Sequence, residues 1–181
     1  MDSKAAIHTK YGEKLTVGEI QIPDPKPDQV LLKLHSSGVC HSQLHQMHNP
    51  DSPTPSLLGH EGTGTVIAKG SDVTHLEEGD LAIITWVNRT PVKGRPTYPS
   101  SGATFNEAPL NGATSTWGEN VLVRGGYVVK IPKHSDKYNS SIVGCAVLTG
   151  AGAVLHTAKV RPEDSVAIFG VGGVGLSSLI I

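Results

Sequence analysis

Short apolar runs separated by turn residues occupy most of the chain up to about residue 145. Strands are predicted over 4–9, 15–22, 30–35, 63–68, 81–85, 119–123 and 127–131. Tyr11-Gly12, Gly79-Asp80 and Gly125-Gly126 supply turn signals between successive runs. Many short strands divided by such turns are typical of a mainly β domain.

The pattern changes after this point. Ala146 to Lys159 is rich in Ala, Leu and Val and predicts a helix. Ser165–Phe169 is a continuous apolar run of the kind found in buried parallel strands, and a glycine cluster and a helix start follow it. We therefore predict two parts, a β domain over residues 1–147 and the beginning of an α/β domain over 148–181. Residues 87–116, with four prolines, predict an unusually long irregular connection.

Composition narrows the function classes. Fifteen basic against 16 acidic residues, a net charge of −1, argue against nucleic acid or an anionic membrane as the main partner. No apolar run is long enough to span a bilayer, and the N-terminal residues lack the apolar core of a signal peptide. Two cysteines make no disulfide framework. We expect a cytoplasmic protein with reduced thiols.

The glycine cluster carries the first chemical signal. Gly170-Val171-Gly172-Gly173-Val174-Gly175 has the spacing G-x-G-x-x-G between a predicted strand and a predicted helix. In such a turn Gly170 permits the tight bend, Gly172 lets a pyrophosphate approach the backbone, and Gly175 allows close packing. The helix N-terminus favours the anion. The alternative is a glycine-rich turn without a ligand. The acidic or basic residue that would separate NAD from NADP lies past Ile181, so that choice stays open.

Histidines and cysteines carry the second signal. Five of the nine His lie between residues 35 and 60, with Cys40 among them, and Cys145 is the other cysteine. Thiolates and imidazoles suit zinc. A set of Cys40, His60 and Cys145 gives three ligands and one open position, which is the composition of a catalytic rather than a structural zinc site. Taken singly, each of these residues could equally be a packed or surface side chain.

Together these motifs resemble the zinc-dependent medium-chain alcohol dehydrogenases. The matching segments, in the family's order, are Gly38–Ser42, Leu58–Gly62, Glu78–Asp80, Gly144–Ala146 and Gly170–Gly175. The resemblance implies a GroES-like, partly open β barrel with short helices, followed by the first α/β elements of a Rossmann domain. It also implies hydride transfer between a small alcohol or aldehyde and NAD or NADP, with one catalytic zinc.

The resemblance also implies a role for each matched residue. The catalytic zinc ligands would be Cys40, His60 and Cys145. Glu61 would be the carboxylate near the metal, Ser42 the hydroxyl that hydrogen-bonds the substrate, and His45 the outer end of a proton relay. The cofactor would be contacted by His41 at its pyrophosphate, by Thr149 and Val174 at its nicotinamide, and by the loop glycines Gly170, Gly172, Gly173 and Gly175.

Three departures from the family pattern modify this expectation. Residues 87–116 contain no Cys, so we predict no structural zinc. Gln43 stands where the family often has Asp, and an amide cannot supply the negative charge that orients a ligand histidine. The coenzyme domain stops after its first strand and glycine turn. We therefore expect the chain alone to be inactive or partial, with an exposed apolar strand at its C-terminal end that favours self-association.

Two other readings stay open. The chain could be a non-catalytic zinc-binding GroES-like module, or an interaction domain that depends on a partner. It could also resemble the zinc-free quinone reductases, although the Cys40, His60 and Cys145 set argues against that reading.

Overall fold

A computed structural model describes residues 1–90 and 100–181. The strands within these residues are β1 (Asp2–His8), β2 (Thr16–Gln21), β3 (Gln29–Ser37), β4 (Ser56–Leu57), β5 (Gly62–Lys69), β6 (Leu81–Ile84), β7 (Thr104–Phe105), β8 (Ala108–Pro109), β9 (Asn120–Arg124) and β10 (Val128–Lys130). The α-helices there are α1 (His41–Met47), α2 (Ala146–Gly152) and α3 (Gly173–Ile180). Two 3₁₀ segments (Gly125–Tyr127 and Asn139–Gly144) and a π-helical turn (Ala153–Ala158) complete them.

The strands form two five-stranded sheets, with the orders β4-β1-β2-β7-β8 and β10-β6-β5-β3-β9. Every pairing between these strands is antiparallel. β1 and β2 form a hairpin whose register runs from Asp2↔Gln21 to Ile7↔Thr16. β3, the longest strand among the described residues, lies between β5 and β9 and is therefore paired along both edges.

The core consists of two apolar clusters, and β3 contributes side chains to both of them. Val30 and Leu32 belong to one cluster and Leu31 to the other, because successive side chains of a strand point to opposite faces. β9 does the same, with Val121 in the first cluster and Leu122 in the second. A strand buried on both faces explains why its sequence is continuously apolar rather than alternating.

Each of the seven predicted strands is present, and the helix predicted from Ala146 is present as α2 continued by the π-helical turn. This helical segment ends at Lys159, which has left-handed backbone dihedrals. Helix α1 was not predicted, because its seven residues are mostly polar and begin only four positions after the end of β3. One local signal for it exists: the side-chain amide of Gln43 accepts a hydrogen bond from the backbone N–H of the N-cap residue Cys40, as the third helical residue of a capping box does.

The prediction of a buried strand over Ser165–Phe169 is wrong. The segment has no strand partner among residues 1–90 and 100–181, and Val166 and Phe169 are 54% and 98% exposed. A parallel strand is stabilised by neighbours on both sides, and the described part of the chain offers it none. The segment Ser165–Phe169 therefore presents apolar side chains to solvent. Self-association through this segment stays a prediction.

The structure describes residues 87–90 and 100–116 of the predicted long connection. Its second half contains the short strands β7 and β8, while residues 91–99 lie outside the described part of the chain. The predicted absence of a structural zinc rests on the sequence of this connection and stays a prediction, as does the domain boundary at residue 147. No helix in the described residues is long and apolar enough to cross a bilayer.

Candidate metal centre and cofactor cleft

Four potential ligand side chains meet at one end of the second sheet. The Sγ atoms of Cys40 and Cys145, a ring nitrogen of His60 and a carboxylate oxygen of Glu61 all lie within 4.8 Å of one another. Cys40 is the N-cap of α1, His60 and Glu61 immediately precede β5, and Cys145 joins a 3₁₀ segment to α2. The two cysteines, far apart in sequence, are thus brought together by the fold.

Two glycines without space for a side chain set the course of the chain around His60 and Glu61. Gly59 has φ +95°, and a Cβ there would overlap Thr116 and Trp117. Gly38 lies directly against the carboxylate of Glu61, where a Cβ would come within 2.8 Å of three side-chain atoms. Its N–H also donates to the Glu61 carbonyl at 3.0 Å. These close approaches hold the His60–Glu61 pair against its neighbours.

Cys145 is held by the residue that precedes it. The carbonyl of Gly144 accepts a hydrogen bond of 2.7 Å from the hydroxyl of Thr85, which is buried at the end of β6. Gly144 also packs so closely on the carbonyl of Ile84 that a Cβ would overlap it. The end of β6 therefore positions the second cysteine.

Burial shapes the electrostatics of the cluster. It lowers the pKa of His60, which favours the neutral, metal-binding imidazole. It raises the pKa of Glu61, and it raises the pKa of Cys145 to about 12, with the neighbouring Cys40 and Glu61 adding to the effect. These shifts show that the site disfavours negative charge unless a cation compensates it.

The donor set fits zinc on an observation independent of titration. The Oε2 atom of Glu61 is fully buried and has no hydrogen-bond partner among the described residues. An orphaned buried carboxylate oxygen is costly unless it faces a cation. Two thiols and an imidazole beside it are the soft and borderline donors that zinc prefers.

Gln43 contacts two members of this cluster. It is 1% exposed, and its Oε1 accepts from the Cys40 N–H at 2.8 Å. Its Nε2 lies 2.6 Å from Nδ1 of His60. The other ring nitrogen, Nε2 of His60, lies 3.3 Å from Sγ of Cys145. The residue that departs from the family pattern is therefore in direct contact with the candidate ligand histidine.

The cluster opens onto two spaces. One is a cavity of about 520 Å³ whose lining includes Ser42, Leu57, Leu58, Trp86 and Thr114 along with both cysteines and His60. The other is a cleft of about 710 Å³ between the cluster and the glycine turn. Cys40, Cys145 and Glu61 line one side of it, and the turn residues Gly170, Gly172, Gly173, Val174 and Gly175 line the other. The ligand cluster forms the boundary between them.

The glycine turn has the geometry that its spacing predicts. Gly170 has φ +102°, a conformation that favours glycine. A Cβ on Gly175 would overlap the carbonyl of Gly170, so this position admits no side chain. Gly172, the N-cap of α3, has open space where a Cβ would stand. The helix N-terminus at Gly173 is thus accessible from the cleft.

The other predicted site residues are placed as follows. Ser42 lines the cavity, while His41 and Val174 line the cleft. His45 is exposed on α1, with its ring centroid 4.8 Å from that of His41. Thr149 is exposed one helical turn after Cys145, and its backbone N–H donates to the Cys145 carbonyl at 2.8 Å. Thr149 therefore contacts the candidate ligand Cys145. The sequence predicted a place for Thr149 beside the nicotinamide but did not predict this contact.

Sequence reasoning missed two residues of the cavity wall, Trp86 and Thr114. Trp86 lies two residues after the end of β6. Thr114 lies in a loop, and its hydroxyl donates to the Gly59 carbonyl at 3.0 Å. Neither residue sits in a recognisable motif. Only the packing of these two segments around the cluster reveals them.

Comparison with known proteins agrees with this fold. Residues 26–133 match the family described as "Alcohol dehydrogenase GroES-like domain". The chain belongs to this alcohol dehydrogenase family, and the resemblance stated from the motifs is confirmed.

Individual relatives extend the comparison. The chain is 33% identical to an S-(hydroxymethyl)glutathione dehydrogenase of Escherichia coli (strain SMS-3-5 / SECEC), over 98% of this chain and 54% of the relative. It resembles the alcohol dehydrogenase zinc-binding domain protein of Burkholderia ambifaria (TM-score 0.91, 27% identity, 99% of this chain and 55% of the other). It also resembles benzyl alcohol dehydrogenase of Acinetobacter calcoaceticus (TM-score 0.84, 31% identity, 99% and 55%). The chain spans about half the length of the curated relatives that it matches.

Proposed function

We propose that this chain forms the zinc-binding part of an alcohol or aldehyde oxidoreductase that transfers hydride between a small alcohol and NAD or NADP. One observation carries the proposal: the donor atoms of Cys40, His60, Glu61 and Cys145 lie within 4.8 Å of one another, between a cavity and a glycine-turn cleft. Substrate on one side and dinucleotide on the other would meet at the metal. The two cysteines and His60 would hold the metal, and Glu61 would compensate its charge from close by.

The chain's own residues supply proton handling. Zinc, when bound, would act as a Lewis acid toward the alcohol, and the nicotinamide would take the hydride. Ser42, in the cavity wall, is suited to accept a hydrogen bond from the substrate hydroxyl and to take its proton. His45 is exposed on the same helix, so its ring would be placed to pass that proton on to water.

The cleft supports a dinucleotide. The open space at Gly172 and the accessible N-terminus of α3 suit a pyrophosphate. His41 lines the same cleft and can donate to a phosphate oxygen, and Val174 offers an apolar contact. Thr149 remains a candidate for the nicotinamide side. Because a full dinucleotide-binding sheet has several parallel strands, binding by this chain alone is expected to be weak.

The cavity favours an uncharged alcohol. Leu57, Leu58 and Trp86 form its apolar wall, and Ser42 and Thr114 are among its polar groups. Within the described residues, no Lys or Arg side chain lines it. A glutathione adduct, which carries carboxylates, would find no cationic partner there. We therefore expect the zinc-loaded chain to bind a neutral aromatic or aliphatic alcohol in preference to S-(hydroxymethyl)glutathione in a calorimetric titration.

Metal content and nucleotide binding, measured on the same purified sample, test the proposal. We expect about one zinc per chain by elemental analysis, as for a single catalytic site, and its loss in Cys40→Ala and Cys145→Ala. His48→Ala is the matched control, because His48 is an exposed histidine of the same region whose Nδ1 contacts only the Leu44 carbonyl in the described structure. A wild-type chain that takes up no zinc would overturn the proposal.

The nucleotide arm separates the enzyme from the non-catalytic module. A thermal shift with NAD or NADP that is abolished by Gly172→Val would support the oxidoreductase, because the side chain would enter the open space at that position. Stoichiometric zinc without any response to either nucleotide would favour the zinc-binding module instead.

A further inference from the structure

The orientation of the buried Gln43 amide is fixed by its contact with the backbone. The N–H of Cys40 can only donate, so the side-chain atom 2.8 Å from it must be the oxygen Oε1. The NH₂ group of Gln43 then faces Nδ1 of His60 at 2.6 Å. Gln43 is 1% exposed, so water cannot readily replace either contact.

This orientation determines the tautomer of His60. Because the Gln43 NH₂ donates, Nδ1 of His60 must accept, and a neutral imidazole then carries its proton on Nε2. That proton points to Sγ of Cys145, 3.3 Å away. The hydrogen bonds therefore run in one direction, from the Cys40 N–H through Gln43 and His60 to the Cys145 sulfur.

A metal requires the opposite tautomer. The nitrogen that faces the other donors of the cluster, Nε2 of His60, must offer a lone pair, so its proton has to move to Nδ1. Nδ1–H would then oppose the Gln43 NH₂. Flipping the amide would relieve that contact but would turn the NH₂ toward the Cys40 N–H. In either case one buried hydrogen bond becomes a donor–donor contact.

We propose that Gln43 is a positioning residue that holds His60 in the Nε2–H tautomer, so that metal can bind only when one buried hydrogen bond is broken. The proposal rests on the proposed metal site and concerns how strongly that site holds zinc. A carboxylate at position 43 would accept from both the Cys40 N–H and the His60 Nδ1–H, so it would favour the metal-binding tautomer. Gln43 thereby makes the bound metal exchangeable.

The test replaces Gln43 by its isosteric acid. We expect Gln43→Glu to raise the affinity for Zn²⁺, and for Co²⁺ followed by its absorption spectrum, by about 10- to 100-fold, the usual effect of a partner that orients a ligand histidine. Gln46→Glu is the matched control. Gln46 lies on the same helix and lines the cavity, so the variant adds the same charge nearby, and within the described residues Gln46 makes no side-chain hydrogen bond to His60.

A second measurement reads the tautomer directly and does not depend on metal. In the metal-free protein, ¹⁵N-edited NMR of the His60 ring should show Nε2–H in the wild type and Nδ1–H in Gln43→Glu, while Gln46→Glu should resemble the wild type. This readout would be unchanged if Gln43 served only to stabilise α1. If the buried acid prevents folding, Gln43→Met should still release His60 from the Nε2–H form.

The outcomes are distinct. If wild type and Gln43→Glu bind zinc equally well, or if Gln46→Glu gains as much as Gln43→Glu, the inference is overturned while the metal site stands. An Nδ1–H tautomer in the wild type would also overturn it. If no variant binds zinc, the proposed function fails and the inference fails with it.

Discussion

The hydrogen bond between Thr85 and Gly144 is expected to couple the stability of the fold to metal affinity. The Thr85 hydroxyl donates to the Gly144 carbonyl at 2.7 Å and accepts from the Val87 N–H at 3.2 Å. Thr85→Val has nearly the same shape but removes the hydroxyl, so it leaves the Gly144 carbonyl unpaired next to Cys145. Among the described residues, the substitution removes only these two side-chain hydrogen bonds.

The magnitude follows from burial. Thr85 is 6% exposed, and leaving its buried carbonyl partner unsatisfied costs about 1–3 kcal/mol. The Val87 N–H adds little, because Val87 is 41% exposed and water can reach it. For a chain of this size each kcal/mol lowers Tm by roughly 2–4 °C, so a fall of roughly 2–12 °C is expected. We also expect about tenfold weaker zinc binding, since Cys145 loses its anchor.

Thermal unfolding followed by circular dichroism, together with a competitive zinc titration, measures both effects. Thr85→Ser is the control, because it keeps the hydroxyl and loses one methyl group at a cost of about 0.5–1.5 kcal/mol. It should retain wild-type zinc affinity. Zinc binding by Thr85→Val as tight as that of the wild type, or an equal loss of affinity in Thr85→Ser, would refute this coupling.

Two further predictions concern stability against pH and the packing behind the metal cluster. The Nζ of Lys130 lies 2.7 Å from Oδ1 of the buried Asp80 carboxyl and is the main cause of its lowered pKa. Asp80→Asn should therefore destabilise the protein by about 1–2 kcal/mol at pH 7. The figure is reduced because the lysine is half-exposed and water screens the pair. Because the pKa is depressed, this stability is present above the ordinary value of 3.8 and is lost as pH falls through the lowered pKa. The denaturant midpoints of wild type and Asp80→Asn should therefore converge as the pH is lowered. A difference in midpoint that does not change with pH would contradict the assignment. Gly38→Ala should displace the Glu61 carboxylate and weaken zinc binding in a titration. Gly152→Ala is the control, because the space at its Cβ is open, and it should leave the zinc affinity unchanged. Equal zinc affinities in the wild type and both variants would show that Glu61 does not compensate the charge of the metal.

The local patterns of the chain were sufficient for most of the β domain. Continuous apolar runs such as Val30–Leu32 predicted strands correctly, because burial on both faces is written directly into the residue types. Helix α1 escaped prediction since it is short and polar, and its only signal is the Cys40–Gln43 capping interaction. The predicted strand at Ser165–Phe169 failed for the opposite reason: its apolar pattern is strong, but a strand forms only with partners.

The sequence by itself determined the family, the strand-rich architecture and the identity of the candidate ligands, because glycines, cysteines and histidines at fixed spacings carry that information locally. The tertiary structure alone decided what these residues do to one another. It brought Cys145 to Cys40, left the Glu61 oxygen without a partner, and turned the Gln43 amide toward His60. These features depend on distances between segments that are remote in sequence, and on the direction in which a buried donor points, which no spacing along the chain encodes.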